Sequence, residues 1–292
     1  MVIPNVMFWM QKNAYEPTTI KKTAKLLRHL KSHCDTTDPE AVKFYISKKQ
    51  CSNAHKENLI EAYAMTLKSL GLTWEQPFYT RYSKKRRAPK EELINFMIQH
   101  TRIEMATKLA IIKDLGTRPK ELTWLTIKDI DLNSGIVSIT GAKHTIGREG
   151  RIRKQALELL KILITKKKLN QNSHIYNGSS DNLSANYRQT RNRIAEKYKM
   201  PELKQIQLYD FRRFMASKEY KLSRHNLIEV KQLLGHKHIE QTEHYISLFD
   251  EKDLKWIPIK ATTDEEKAKC IEEDCDYIST EPDGSMWFRK PS

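Results

Sequence analysis

Three short stretches carry side chains whose types and spacing can do chemistry. In Leu115-Gly116-Thr117-Arg118-Pro119-Lys120-Glu121-Leu122, Gly116 can close one helix and Pro119 can sit in the first turn of the next. Arg118 then falls at a helix N-terminus, where amide dipoles and a guanidinium can face one anion. In Tyr209-Asp210-Phe211-Arg212 the start of a helix sets Tyr209 and Arg212 three residues apart on one face. Leu233-Leu234-Gly235-His236 ends a helix on a glycine cap, and nine residues later Tyr245 stands on the following helix. Each stretch also has a plainer reading when taken singly. An Arg at a helix junction is usually a surface residue, a Tyr and Arg on one face can be packing, and a lone Tyr is more often core.

The elements that must position these residues are mostly helical. Residues 1 to about 78 form a small helical module: Thr18 to His33 places Ile20, Ala24, Leu27 and Leu30 at helical spacing, Asp38-Pro39-Glu40 opens a second helix, and Ala54 to Leu70 gives a third that stops at Gly71. Arg81, Lys84, Lys85, Arg86 and Arg87 then crowd five cations into seven residues ahead of Pro89, which suits an exposed linker. Beyond it the pattern predicts helices over Glu91 to Gln99 and Ile103 to Leu115, and a strand over Ile136 to Thr140 that pairs with Arg148 to Arg153. Further helices are expected at about 154 to 168, 182 to 198, 209 to 221, 225 to 234 and 239 to 248. The end of the chain reads as a short acidic helix and a hairpin turning at Pro282-Asp283-Gly284. The fold class is therefore mainly α with a small antiparallel β-sheet. The expected domains are a helical unit at 1–80, a basic linker at 81–89, a second domain at 90–260 and an acidic tail at 261–292.

Charge narrows the partners. The 292 residues carry 52 Lys plus Arg against 36 Asp plus Glu, a net +16. Residues 1–90 hold 17 basic and 7 acidic side chains, residues 91–260 hold 31 and 20, and residues 261–292 hold 4 and 9. Two basic bodies followed by an acidic tail favour a polyanion, because each cation near a phosphate displaces condensed counterions. No apolar run approaches the ~18–20 residues of a membrane span, and Met1 to Met10 lacks the basic start of a signal peptide, so a cytoplasmic protein without membrane contact is expected. Cys34, Cys51, Cys270 and Cys275 supply one Cys-x4-Cys pair without a second, so no metal site and no cofactor are expected.

The order and spacing of the three stretches resemble the tyrosine recombinase family of phage-type integrases and Xer proteins. That family reads Thr-Gly-x-Arg-x-x-Glu, a Lys on a β-hairpin, His-x-x-Arg, Leu-Gly-His and then a Tyr. Gly116, Arg118 and Glu121 match the first box, with Leu115 where Thr is usual. Lys143 lies 25 residues after Arg118, Arg212 matches the second Arg, His236 the Leu-Gly-His histidine, and Tyr245 the nucleophile. The likeness covers roughly residues 90 to 250, and the module at 1–78 is similar in size and place to the family's core-binding domain. Tyr209 departs from the pattern by standing where most members have His, a feature that resembles some archaeal integrases.

The resemblance implies a site-specific DNA recombinase or integrase of a mobile element, acting on double-stranded DNA as a homotetramer through a 3′-phosphotyrosine intermediate. Cutting a phosphodiester without metal needs a nucleophile, neutralisation of the non-bridging oxygens and an acid for the leaving 5′ oxygen. Arg118 and Arg212 suit bidentate contact with the phosphate. His236 and Tyr209 can add hydrogen bonds to the same oxygens, Lys143 can protonate the departing oxygen, and Glu121 orients Arg118. A phenol at Tyr209 is a donor and a poor base at neutral pH. Arg81, Lys84, Lys85, Arg86 and Arg87, with Arg188, Arg191 and Arg193, are expected contacts to the DNA backbone. His144, His238, His244 and Arg213 are read as facing solvent or DNA. The apolar stretch from Leu248 to Ile259 is expected to seat in a neighbouring subunit, and the acidic tail either to cover its own basic face when DNA is absent or to pair with a basic face next door, the plainer reading being a self-contained hairpin. The alternatives are a type IB topoisomerase, or a DNA-binding repressor or architectural protein that has lost catalysis.

Overall fold

The computed structural model describes residues 3–81, 86–142, 145–246, 256–273 and 275–291. The chain divides into two compact units, 1–84 and 85–292.

The first unit is four helices: α1 (Ile3–Lys12), α2 (Pro17–Lys31), α3 (Pro39–Lys48) and α4 (Asn53–Ser69). Each start has a local cause. Pro17 and Pro39 occupy first turns, where a missing N–H costs nothing, and the Asp38 carboxylate accepts from the Glu40 amide at 2.9 Å. The helices bury Met10, Leu27, Leu30, Ile46, Leu59 and Tyr63 against one another, each worth roughly 1.5–3 kcal/mol for the aliphatic side chains. Arg81, near the end of this unit, is ion-paired with Glu57.

The second unit is built round α6 (Ile103–Leu115), whose residues from Met105 to Lys113 are all buried. A helix without a polar face must be covered on every side. Helices α5 (Glu91–Gln99), α8 (Lys154–Lys167) and α10 (Leu208–Leu222) pack against it. The two cations this places in the core are handled separately: Lys113 Nζ lies 2.8 Å from Glu91 and from Asn95, and Lys108 lies over the Tyr176 ring. Between α6 and α8 come the short α7 (Pro119–Trp124) and an antiparallel pair, β1 (Ile136–Ile139) and β2 (Arg148–Arg151), in which Ile139 faces Arg148 and Val137 faces Gly150. A Cβ at Gly150 would stand 2.8 Å from Leu115 Cδ2, so glycine there lets β2 lie directly on α6. Helices α9 (Ser180–Lys197), α11 (Leu227–Leu234) and the single turn α12 (Glu240–Glu243) complete the body.

One expectation fails here, and one expected boundary meets a strand. The helix expected over 239–248 is one turn, and Tyr245 lies in the turn just beyond it rather than on a helix. The apolar stretch before the tail is described from Trp256 onward. Its end forms β3 (Trp256–Ala261), which pairs with β5 (Met286–Pro291) in a three-stranded antiparallel sheet of order β3-β5-β4, with β4 (Asp276–Thr280). The expected boundary at 260/261 therefore falls inside a strand. The acidic helix α13 (Asp264–Glu272) starts on a Thr263 cap, and Ala261, Cys270 and Phe288 form a small core beneath it. Some acids of this segment find cations within it, as in the pairs Lys290 with Glu273, Lys267 with Asp264 and Arg289 with Asp276.

Candidate active site

Arg118 immediately precedes α7, and its own side chain is tied back into that turn. Its amide donates to Glu121 Oε2 at 2.9 Å and its Nη1 to Glu121 Oε1 at 2.7 Å. Pro119 fixes the backbone between them. Glu121 is buried, and Arg148 Nη2 also donates to its Oε2, at 2.9 Å. Burial pushes the Glu121 carboxyl up, but the charge and hydrogen bond of Arg148 and the Arg118 amide more than offset this and hold it below the usual carboxylate value.

Arg212 comes from the second turn of α10 and is 1 % exposed. Its Nη1 donates to the Gly116 carbonyl, and its Nη2 donates to the Leu234 carbonyl at 2.9 Å and meets His236 Nε2 at 2.9 Å. These carbonyls belong to the C-terminal ends of α6 and α11, both closed by a left-handed glycine, Gly116 with φ 57° and Gly235 with φ 65°. Burial brings the Arg212 guanidinium down to about 10, with Arg118 adding to the effect, so it remains charged at neutral pH.

The same contact fixes the tautomer of His236. A guanidinium only donates, so Nε2 must present its lone pair and the proton sits on Nδ1, which donates to Thr242 Oγ1 at 2.9 Å. Burial first, then the charges of Arg212, Arg118 and Arg148, push this imidazole down to about 3, and it is neutral at pH 7. Three guanidinium groups thus surround one carboxylate and a neutral ring, leaving two positive charges in excess.

Tyr245 stands beside this cluster. Its ring centroid is 5.2 Å from the Arg212 guanidinium and 5.4 Å from the His236 ring. Its backbone is held by the Tyr245 amide donating to the Thr242 carbonyl and by Ser217 Oγ donating to the Tyr245 carbonyl at 3.1 Å. Tyr209 is 41 % exposed at the edge of the group. Desolvation raises its phenol and Tyr245 adds to this, against the opposing pull of Arg118 and Arg212, so it stays protonated and able to donate.

The chain from 88 to 252, more than half of it, matches the sequence profile described as the Phage integrase family. The chain belongs to that family. No curated protein matches it. Among solved structures it is similar to the Tn1549 transposon integrase in complex with transposon right-end DNA, with 13 % identity, TM-score 0.62, and 93 % of this chain and 99 % of that one covered. It is also similar to the XerH site-specific recombinase bound to a palindromic difH substrate, with 20 % identity, TM-score 0.54, and 87 % and 78 % covered. At these identities the likeness is one of fold. The family membership makes this integrase a site-specific DNA recombinase.

Of the residues singled out from sequence, Arg118, Glu121, Arg212, His236, Tyr245 and Tyr209 come together in this one cluster. Lys143, Lys84, Lys85 and His144 lie outside the described residues. His238 and His244 are exposed. Arg213 is not turned to solvent or DNA as expected: it is half-buried and ion-paired with the buried Asp210. Arg86 also reaches Asp210, at 3.2 Å, while Arg87 is exposed. On α9, Arg188 and Arg193 are exposed, whereas Arg191 Nη1 donates to the Ile206 carbonyl at 3.0 Å.

Arg148 was missed by the sequence reading. The signal was present in strand parity, since 148, 150 and 152 share one face and Ile152 and Gly150 mark that face as the inner one. No group of three or more metal-ligating side chains converges among the described residues.

Proposed function

We propose that this recombinase cuts DNA by attack of Tyr245 on a phosphodiester held by Arg118 and Arg212. The observation that carries the reading is the buried excess of two positive charges beside the Tyr245 ring. A phosphodiester brings one negative charge into that site, and the pentacoordinate transition state brings a second on the non-bridging oxygens. As the Tyr245 oxygen bonds to phosphorus and the phenol proton leaves, the bond to the 5′ oxygen breaks. The product is a 3′-phosphotyrosine that retains the bond energy for rejoining to another strand. Lys143 is the proposed acid for the departing oxygen, on the sequence resemblance. Glu121 holds Arg118, and Tyr209 contributes a phenolic hydrogen bond where most members of the family have an imidazole, a variant we liken to archaeal integrases.

Around this centre, the helical unit and the basic segment from Arg81 to Arg87 engage the duplex on either side of the cut, with Arg188 and Arg193 on the phosphate backbone. The DNA complexes among the similar structures support that partner. Strand exchange calls for four copies on two duplexes, and an enzyme acting on that DNA works in the cytoplasm; no helix of the described residues is long and apolar enough to cross a membrane.

Suicide substrates that trap the cleaved strand test the reading. The wild type should form a covalent adduct, in excess chelator as well as without it, that survives denaturing electrophoresis. Tyr245→Phe should bind the same DNA and form none. Adduct formation by Tyr245→Phe would remove the assignment. Relaxation of supercoiled DNA with no exchanged product would point to a topoisomerase, and binding without any adduct in the wild type to an idle DNA-binding protein.

A further inference from the structure

Arg148 is an expensive residue for its place. It opens β2, its side chain is 5 % exposed, and among the described residues only its Nη2 has a hydrogen-bond partner, Glu121 Oε2 at 2.9 Å. Its Nε and Nη1 are buried with no hydrogen-bond partner among the described residues. Leaving guanidinium donors unmet in the interior is costly, and an aliphatic side chain of similar length would fill the space without that cost. The contacts it does make are therefore informative.

The first contact is with Glu121. One carboxylate oxygen takes Arg118 Nη1, and the other takes both the Arg118 amide and Arg148 Nη2. With both oxygens engaged the carboxylate cannot rotate about its last torsion, and Arg118 is held in one orientation. The second contact is with the turn before His236. Arg148 Cδ and Nη1 lie 3.2 and 3.3 Å from where a Cβ on Gly235 would stand, and the Ile146 amide donates to the Gly235 carbonyl at 3.1 Å. One side chain therefore touches both the carboxylate that sets Arg118 and the glycine that leads into His236.

We propose that Arg148 is a positioning residue for the phosphate site, fixing Arg118 through Glu121 and bracing the Gly235–His236 turn against β2. The proposal rests on the reading of Arg118 as a phosphate-binding group. Arg148 does not itself need to touch DNA. Its loss frees the Glu121 carboxylate to turn and lets Arg118 drift from the non-bridging oxygens, and a displacement of about 1 Å at a reacting centre costs ~100-fold in rate.

A substrate with a methylphosphonate at the scissile position separates positioning from mere stability. The methyl group replaces one charged oxygen, so less negative charge develops and a misplaced Arg118 matters less. Adduct formation is measured on paired phosphodiester and methylphosphonate suicide substrates for wild type, Arg118→Ala, Arg148→Met and Arg148→Lys. Arg148→Met should lose ~100-fold on the phosphodiester and only a few-fold on the methylphosphonate, as Arg118→Ala should also do. Should Arg148→Met fail to fold, Arg148→Lys keeps the charge with a single shorter reach, and its smaller loss should again fall on the phosphodiester. Equal losses on both substrates for the Arg148 variants, with Arg118→Ala relieved by the methyl group, would overturn the proposal. An Arg118→Ala loss that the methyl group does not relieve would instead remove the phosphate role of Arg118, and the proposal with it.

Discussion

Replacing His236 by Gln should make the protein less sensitive to mild acid. In the folded chain the ring accepts from Arg212 and is pushed down to about 3, whereas in the unfolded chain it titrates near its ordinary ~6.5. The unfolded state therefore binds the proton first. Because the folded value is the lower one, the stabilisation is present above pH ~6.5 and is lost as pH falls below it. At pH 7 the unfolded imidazole is only about one-quarter protonated, and at pH 5 almost fully so, while the folded ring stays neutral at both. The linked loss for this one group between pH 7 and pH 5 is about 2 kcal/mol. His236→Gln cannot take up the proton, so urea unfolding at the two pH values should show the variant losing about 2 kcal/mol less than the wild type over that interval, whatever its stability at pH 7. Nitrogen NMR of the wild type should find the proton on Nδ1 and no titration of this ring above pH 5. Equal pH losses in the two proteins, or a His236 ring titrating near 6.5, would refute the argument that Arg212 and burial keep it neutral.

Other outcomes follow from the same cluster. Glu121→Gln leaves Arg118 and Arg148 without their carboxylate and should cost about 3–5 kcal/mol of stability in thermal or urea unfolding, as loss of one member of a buried pair does; a change below about 1 kcal/mol would contradict the buried network. Gly235→Ala must hold a left-handed backbone, at about 1–2 kcal/mol, and its methyl would stand 2.7 Å from the Ile146 carbonyl, so a slower adduct rate than wild type is expected alongside lower stability. Lys143→Ala should recover much of its cleavage on a 5′-bridging phosphorothioate substrate, whose thiolate leaves without needing a proton, while Arg118→Ala should not; equal recovery of both speaks against Lys143 as the acid. A chain ending at residue 255 removes the whole β3-β5-β4 sheet without splitting it, and should retain single-site binding and the Tyr245 adduct while losing two-site synapsis; full recombination by that variant would dismiss an assembly role for the segment.

The parts of the fold that local sequence could disclose are those whose signals are local. Helix α6 runs from Ile103 to Leu115 as its apolar run and Gly116 stop suggest, and α5 likewise follows its pattern from Glu91 to Gln99. The β1–β2 pair was legible from the alternation of Ile136 to Thr140 and its return at Arg148 to Arg153 after the loop from Gly141 to Gly147. What was not legible depends on partners far along the chain. Tyr245 follows a single helical turn because the Thr242 hydroxyl accepts from His236 and Ser217 donates to the Tyr245 carbonyl, contacts that no short-range spacing encodes. The strand at 256–261 finds its partner about 30 residues later, at 286–291, and an apolar segment awaiting such a partner reads the same as one awaiting another subunit. Arg213, read as facing solvent or DNA, pairs with Asp210, an acid whose burial depends on the packing of the whole domain and not on local spacing. Arg148 meets Glu121 across 27 residues and a hairpin.

The seat of Arg212 has a consequence for anyone redesigning this enzyme. Its direct partners are two main-chain carbonyls and one imidazole, with no carboxylate in hydrogen-bond contact among those described. Main-chain oxygens are supplied by every amino acid, so no acidic side chain can be swapped out to unseat the guanidinium. Its vulnerability is transferred to Gly116 and Gly235, which carry no functional group yet aim both carbonyl-bearing helix ends. Libraries that vary the polar residues of the site while holding these two glycines fixed should keep a correctly charged pocket. Libraries that vary the glycines should lose it, even with every charged residue intact.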